Sequence, residues 1–280
     1  MGTKTDRQAS GTDAADSGAA APELRVGQQR EVTDLDGLLA DPDALPLVRA
    51  RIEAGDVIVV RGAVAPDRVT EIKRYLSTVG RHSLPTYLPI EEGCPNFHRI
   101  NDNDERAYVR GCFHQFVFFP WNQDVLDIFA LQRSVYALRN RLAGAPADRF
   151  TGRTPDDGCI ARIAFQFYPA GRGHLNMHCD PVDHHQLAIP MMTMSKRGVD
   201  FDVGGSYALG SNDERIYLDD ISEPGDVVLV NARIPHGVEM VDPDKPVDWL
   251  AFEGRWIMLA ATNKLHDNDA VADAVDLEEA

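Results

Sequence analysis

Basic residues are scarce in this chain: 28 Lys and Arg stand against 44 Asp and Glu, a formal net charge of −16 over 280 residues. Nucleic acid and anionic membrane surfaces recruit clusters of Lys and Arg, so a surface of this sign argues against both as partners. A cationic small molecule is expected to be tolerated better than an anionic one. No apolar run approaches the roughly 18 residues that cross a bilayer, and the N-terminus lacks the charged-then-apolar layout of a secretory signal. Cysteine is also sparse. Cys94, Cys112, Cys159 and Cys179 form no CxxC pair and match no zinc-ribbon spacing. Four thiols in a chain this long point to a reducing compartment, and a cytoplasmic location is expected.

The apolar fraction is an ordinary 44%, enough for one sizeable core. Residues 1–24 carry no bulky apolar side chain before Leu24 and are expected to be a disordered tail. Residues 266–280 read as a loose acidic tail, with a short helix possible in AVADAVDLEEA. The 25–265 segment between them reads as a single domain whose character changes near residue 157. Over 25–157 it is largely helical. Asp56–Arg61 reads as a buried strand, a helix follows Pro66 over Arg68–Val79, and residues 123–143 carry apolar side chains at helical spacing up to Gly144.

Over 158–265 the pattern is β throughout. Eight β-branched or alternating segments are separated by turn residues: Ala161–Tyr168, Leu175–Asp180, Leu187–Ser195, Asp200–Ala208, Glu214–Leu218, Asp226–Asn231, His236–Val241 and Arg255–Thr262. Many short strands at this spacing imply a sandwich or barrel. The fold expected is mostly β, a jelly-roll or cupin-like barrel with an N-terminal α/β helical layer packed on it.

One of these strands contains His174-Leu-Asn-Met-His178-Cys-Asp180. Alternation places Asn176, His178 and Asp180 on one face, so a His and a carboxylate two residues apart can reach one metal together. His236, opening a later strand after Pro235, is the foremost candidate for a third ligand. Two His and one carboxylate on one side of an iron leave three coordination positions open, as an oxygenase requires. A lone strand histidine is more often a packed core residue than a ligand; the order HxD on the second strand and His on the seventh is what raises the metal reading. His174 and His178 form an HxxxH string, a zinc signature only on a helix, and the Pro and Gly residues before it argue against one.

Together these residues resemble the iron(II)/2-oxoglutarate-dependent dioxygenases built on a double-stranded β-helix, in particular the phytanoyl-CoA-hydroxylase-like branch. The resemblance covers roughly residues 158–265. It implies that His178, Asp180 and His236 hold Fe(II), and that 2-oxoglutarate and O2 are co-substrates. Arg255, at the start of the eighth strand, would clamp the far carboxylate of 2-oxoglutarate. The family places this Arg about ten residues after the distal His; here the gap is longer, and a loop insertion in DPDKPVDWLAFEG is the economical reason. Arg233 is the lesser alternative. Gln166, Asn176 and Thr193 are further candidates for co-substrate contact, and Arg162, His184 and Trp121 for substrate contact. Barrel packing or plain exposure accounts for most of these equally well. No catalytic side chain beyond the metal ligands is expected.

The resemblance implies hydroxylation, or another oxidation, of an unactivated carbon in a small polar metabolite. Asp180 favours this over halogenation, because related halogenases lack the carboxylate. Two other readings stay open: a cupin-like metal enzyme that does not use 2-oxoglutarate, and a non-catalytic small-molecule-binding jelly roll.

Overall fold

The computed structural model describes residues 24–181 and 186–278; the expected N-terminal tail therefore lies outside the described residues, save Leu24. In chain order the elements are β1 (Gln29–Val32), α1 (Leu35–Ala40), α2 (Ala44–Glu53), β2 (Val57–Val60), α3 (Pro66–His82), β3 (Phe97–Asp102), β4 (Gly111–Phe118), α4 (Ile128–Leu131), α5 (Arg133–Leu142) and β5 (Cys159–Pro169). They continue with β6 (His174–Cys179), β7 (Ala188–Thr193), β8 (Gly205–Leu209), β9 (Arg215–Tyr217), a 3-10 turn (Leu218–Asp220), β10 (Val227–Asn231), β11 (His236–Glu239), β12 (Gly254–Lys264) and β13 (Val275–Asp276).

All eight strands read from the second half are present. They pair in the order β10-β7-β12-β5 on one side and β6-β11-β8-β9 on the other, with β4 bonded to both β5 and β6. This interleaved order is that of a jelly roll, a double-stranded β-helix. At its outer edge the first side is extended by β2 and β1.

Alternation explains how the larger side serves two cores. On β12, Trp256, Met258 and Ala260 face outward, where they join Ile72 and Leu76 of α3 and Val135, Leu138 and Leu142 of α5. Arg255, Ile257 and Leu259 face into the barrel. A second cluster fills part of that interior, with Val228, Val230, Met191 and Ile257. Helix α3 forms because Pro66 and Asp67 suit its first turn, Arg81 and His82 its last, and Val69, Ile72, Leu76 and Gly80 share its buried face.

Three local expectations are corrected. The helix expected over residues 123–143 starts only at Ile128 and breaks at Gln132. Asp124 stays outside it and accepts the Ile128 and Phe129 N–H groups (2.8 Å each), capping the helix start. The strand expected from Asp200 begins at Gly205, because Gly204 and Gly205 hold φ of 80° and 108°, a turn conformation that ends pairing. The C-terminal segment is neither a helix nor wholly loose. Val275 and Asp276 add β13 to β6, opposite Cys179 and His178. Among the described residues no helix is long and apolar enough to cross a membrane.

Candidate metal centre and the cavity it opens into

Strands β6 and β11 run antiparallel with His178 directly opposite His236. Their rings lie 4.3 Å apart between centroids. Asp180 sits just past the end of β6, fixed by its N–H to the Ala232 carbonyl (2.9 Å). Its Oδ2 is 3.3 Å from His236 Nε2. The three side chains can bring ligand atoms within 4.8 Å of one another.

The ring orientations are held from behind. His178 Nδ1 faces the Asn176 carbonyl (2.9 Å), and His236 Nδ1 faces the Ile234 carbonyl (2.8 Å). A carbonyl only accepts, so each Nδ1 carries a proton and each Nε2 is the ring atom turned toward the metal position. Burial, reinforced by the neighbouring His236, pushes His178 down to about 4, so its ring is neutral near pH 7. Burial works against ionised Asp180, but the hydrogen bond from His236 and the charges of His236 and Arg162 win and lower its pKa. His236 is raised for the reciprocal reason: burial opposes protonation, and Asp180 overcomes it.

The three residues open into a cavity of about 740 Å³ that also contains Arg255, Gln166 and Arg162. Arg255 opens β12 after Gly254, where a Cβ would lie 2.2 Å from the Tyr168 carbonyl oxygen; glycine lets the strand start against β5. Arg255 and Asp219 are almost wholly buried, 1% and 2% exposed, and Arg255 Nε donates to Asp219 Oδ2 (2.8 Å). Arg255 Nη1 is sealed from solvent and has no acceptor among the described residues. A buried donor left unpaired costs about 1–3 kcal/mol, and a carboxylate entering the cavity would relieve that. Gln166 is oriented by the Tyr168 hydroxyl, which donates to its Oε1 (2.7 Å). Arg233 is exposed and outside the cavity.

The remaining expected contacts are placed elsewhere. Asn176 does not share the cavity face with His178. Strand β6 bulges between Leu175, which pairs Val238, and His178, which pairs His236, so three positions of β6 span two of β11. The bulge breaks the alternation, Leu175 takes the cavity face, and Asn176 Nδ2 reaches Asp276 of β13 at 3.3 Å. Thr193 is buried at the far end of β7 and shares a 2.7 Å hydrogen bond with the Ser222 hydroxyl, outside the cavity lining. Trp121 stacks on Phe119 and donates to the Cys94 carbonyl (2.7 Å), also away from the cavity. His184 lies outside the described residues. His174 turns its Nδ1 to the Arg172 carbonyl (2.9 Å) and sits on a strand, so the HxxxH string forms no helical zinc pair.

Arg99 and Gln115, expected in segments that could cover the barrel mouth, line the cavity; Tyr168, which also lines it, and Asp219, which holds Arg255, went unread in the sequence. Alternation on β5, with Arg162 and Gln166, would have flagged Tyr168. Asp219, on a 3-10 turn, carries no local signal.

No protein-family model matches the chain, and no curated protein matches it. Solved structures do. The crystal structure of JOX2 in complex with 2OG, Fe and JA matches with a TM-score of 0.50 at 12% identity, over 91% of this chain and 80% of that one. The chain has the fold of JOX2. Also similar is a full-length Neurospora crassa protein in complex with alpha-KG and thymine (TM-score 0.49, 12% identity, 87% and 86% of the two chains). The non-heme alpha ketoglutarate dependent epimerase SnoN from nogalamycin biosynthesis matches too (0.48, 14%, 80% and 84%). None of the three singles out the phytanoyl-CoA-hydroxylase-like branch.

Proposed function

We propose that this chain is an iron(II)- and 2-oxoglutarate-dependent oxygenase that oxidises an unactivated carbon of a small molecule. One observation carries the reading: a His178–Asp180–His236 cluster, both imidazoles presented through Nε2, shares one cavity with a buried Arg255 whose Nη1 has no partner among the described residues. Two neutral imidazoles and one carboxylate on one side are the donor set of a non-haem iron(II) site with open positions. When bound, the iron and its keto-acid co-substrate supply the activation of dioxygen and the oxidation of a C–H bond, chemistry that no side chain provides.

The residues of the chain do the rest. His178, Asp180 and His236 would hold the metal, with their backbone carbonyl partners fixing the rings. Arg255 would bind the far carboxylate, while Asp219 holds its guanidinium in place and Gln166 lines the space between. Ile257, Leu259, Val230 and Met191 exclude water from the reacting end. A cupin-like enzyme without a keto acid has no use for Arg255 Nη1 in this position, which favours the oxygenase reading. JOX2, whose crystals hold 2OG and Fe, shares the fold and so is compatible with it.

The test is spectroscopic. Iron(II) and 2-oxoglutarate added to the protein without oxygen should give a visible metal-to-ligand charge-transfer band. Asp180→Ala should lose it, and Arg255→Gln should need about tenfold or more 2-oxoglutarate to reach it. Iron binding without a band would favour the cupin reading; no iron binding at all would sink both.

A further inference from the structure

The charge inside the cavity has the opposite sign to that of the whole chain. Arg99, Arg139, Arg162 and Arg255 all line it. Arg255 is balanced by Asp219. Arg139 donates to Asn140 Oδ1 (3.0 Å) and Gln186 Oε1 (3.3 Å). Two further cavity cations are paired as well, Lys264 with Asp273 at 2.9 Å and Arg106 with Asp104 at 2.7 Å. Arg99 and Arg162 are different. Among the described residues neither forms an ion pair, and Nε of each is sealed from solvent with no acceptor.

The two guanidinium groups line the same cavity from neighbouring strands, Arg162 four residues along β5 from the level of Arg99. Arg99 of β3 pairs with Gln115 of β4, which pairs with Gln166 of β5, and Arg162 lies on the same inward face of β5. They are close enough for their charges to oppose one another: Arg162 is held down to about 10, first by burial and then by Arg99. The Arg99 plane is braced over the Tyr87 ring, 4.6 Å from its centroid. Two like-charged, donor-rich groups facing one cavity are costly unless an anion joins them. Asp180 attracts Arg162 and Asp104 attracts Arg99, but the first is committed to the metal cluster and the second to Arg106.

Between Arg255 and the level of Arg162 the wall turns apolar, with Ile257, Leu259 and, opposite it, Met191. We propose that Arg99 and Arg162 form an anion clamp for the primary substrate, which carries a carboxylate or phosphate head group on an apolar body. Held by its head at the clamp, such a molecule lays its apolar carbons across the wall toward His178 and His236. This rests on the oxygenase reading for what happens to those carbons, but not for the binding. It reverses the expectation, drawn from net charge alone, that a cationic ligand would be preferred.

Calorimetry on the full chain, loaded with iron(II) and 2-oxoglutarate under nitrogen so that Arg255 is occupied, tests the clamp. The probes are cinnamate, phenyl phosphate and the neutral cinnamamide. One of the two anions should bind at least about tenfold more tightly than the amide, the tighter one naming the head group. Arg99→Gln and Arg162→Gln should each weaken that anion about tenfold or more, with the 2-oxoglutarate band unchanged. Each Gln variant should also unfold at the same or a higher temperature, because it removes an unpaired buried charge. Arg162→Lys, which keeps the charge but not the fork, should retain part of the affinity. Equal binding of acid and amide, binding of neither anion, or unchanged affinity in the Gln variants would overturn the clamp. If the band never forms, the same titration without 2-oxoglutarate reads the clamp alone, so the two proposals fail separately.

Discussion

The two sides of the barrel are built for different work. The β10-β7-β12-β5 side is covered on both faces: α3 and α5 press on one, and the cavity wall is the other. Its strands read as near-continuous apolar runs such as VVLVN, buried at every position. Among the described residues the β6-β11-β8-β9 side has only the short 3-10 turn Leu218–Asp220 packed closely on it and no α-helix, and β6 is mostly half-buried. Yet His178 and His236 lie on this thinner side, with Asp180 just beyond it. The thick side supplies rigidity and Arg255; the thin side supplies ligands at strand ends, where a bulge can re-aim a side chain without disturbing a core.

Substitutions can break that contrast. Trp256→Ala on the thick side should cost the most stability, about 3–5 kcal/mol, read by chemical denaturation. A loss below about 1 kcal/mol would show that the helical layer is not held as described. On the thin side, His178→Ala or His236→Ala should abolish iron binding while shifting the unfolding midpoint far less than Trp256→Ala does. If they unfold the protein equally, the ligands are core residues first.

A smaller effect is expected at the junction. Strand β4 bridges both sides and, with β3, buries His98 and His114, whose rings share a 2.9 Å hydrogen bond. Burial lowers them to about 4 and about 3. Because the unfolded state takes up protons first, their contribution is intact above about pH 6.5 and is lost as pH falls toward 4. Unfolding midpoints across that window should fall less steeply in His114→Gln than in the wild type; parallel curves would show that this pair does not set the acid limb. Smallest of all, Asp276→Ala should loosen β13 by about 1 kcal/mol or less, seen as faster hydrogen exchange at Val275 rather than in global stability.

The same contrast explains what the sequence made legible. On the thick side, apolar runs between Pro and Gly turns located every strand to within a few residues. On the thin side, alternation correctly joined His178 to Asp180 but misplaced Asn176, because a bulge is set by the partner strand and leaves no mark in its own six residues. Thr193 has the right parity for the interior but sits at its packed end, a matter of depth that period-2 patterning does not encode. Asp219 reaches Arg255 across 36 residues, and Arg99 meets Gln115 through the β3–β4 hairpin. The long loop before Arg255 was read as an insertion, and Arg255 does open β12; the loop's own anchor, Asp242 accepting the Asp202 and Val203 N–H groups at 2.8 Å, was not foreseen.

The central claim is that one iron sits at His178, Asp180 and His236 and faces a keto acid anchored on Arg255. Crystals grown without oxygen with iron(II) and 2-oxoglutarate, measured at the iron absorption edge, test it most directly. The expected result is a single anomalous peak bound by His178 Nε2, His236 Nε2 and an Asp180 oxygen, with the far carboxylate of 2-oxoglutarate on Arg255 Nη1. A peak at other residues, or a keto acid whose far carboxylate sits on Arg99 and Arg162 instead, would contradict it.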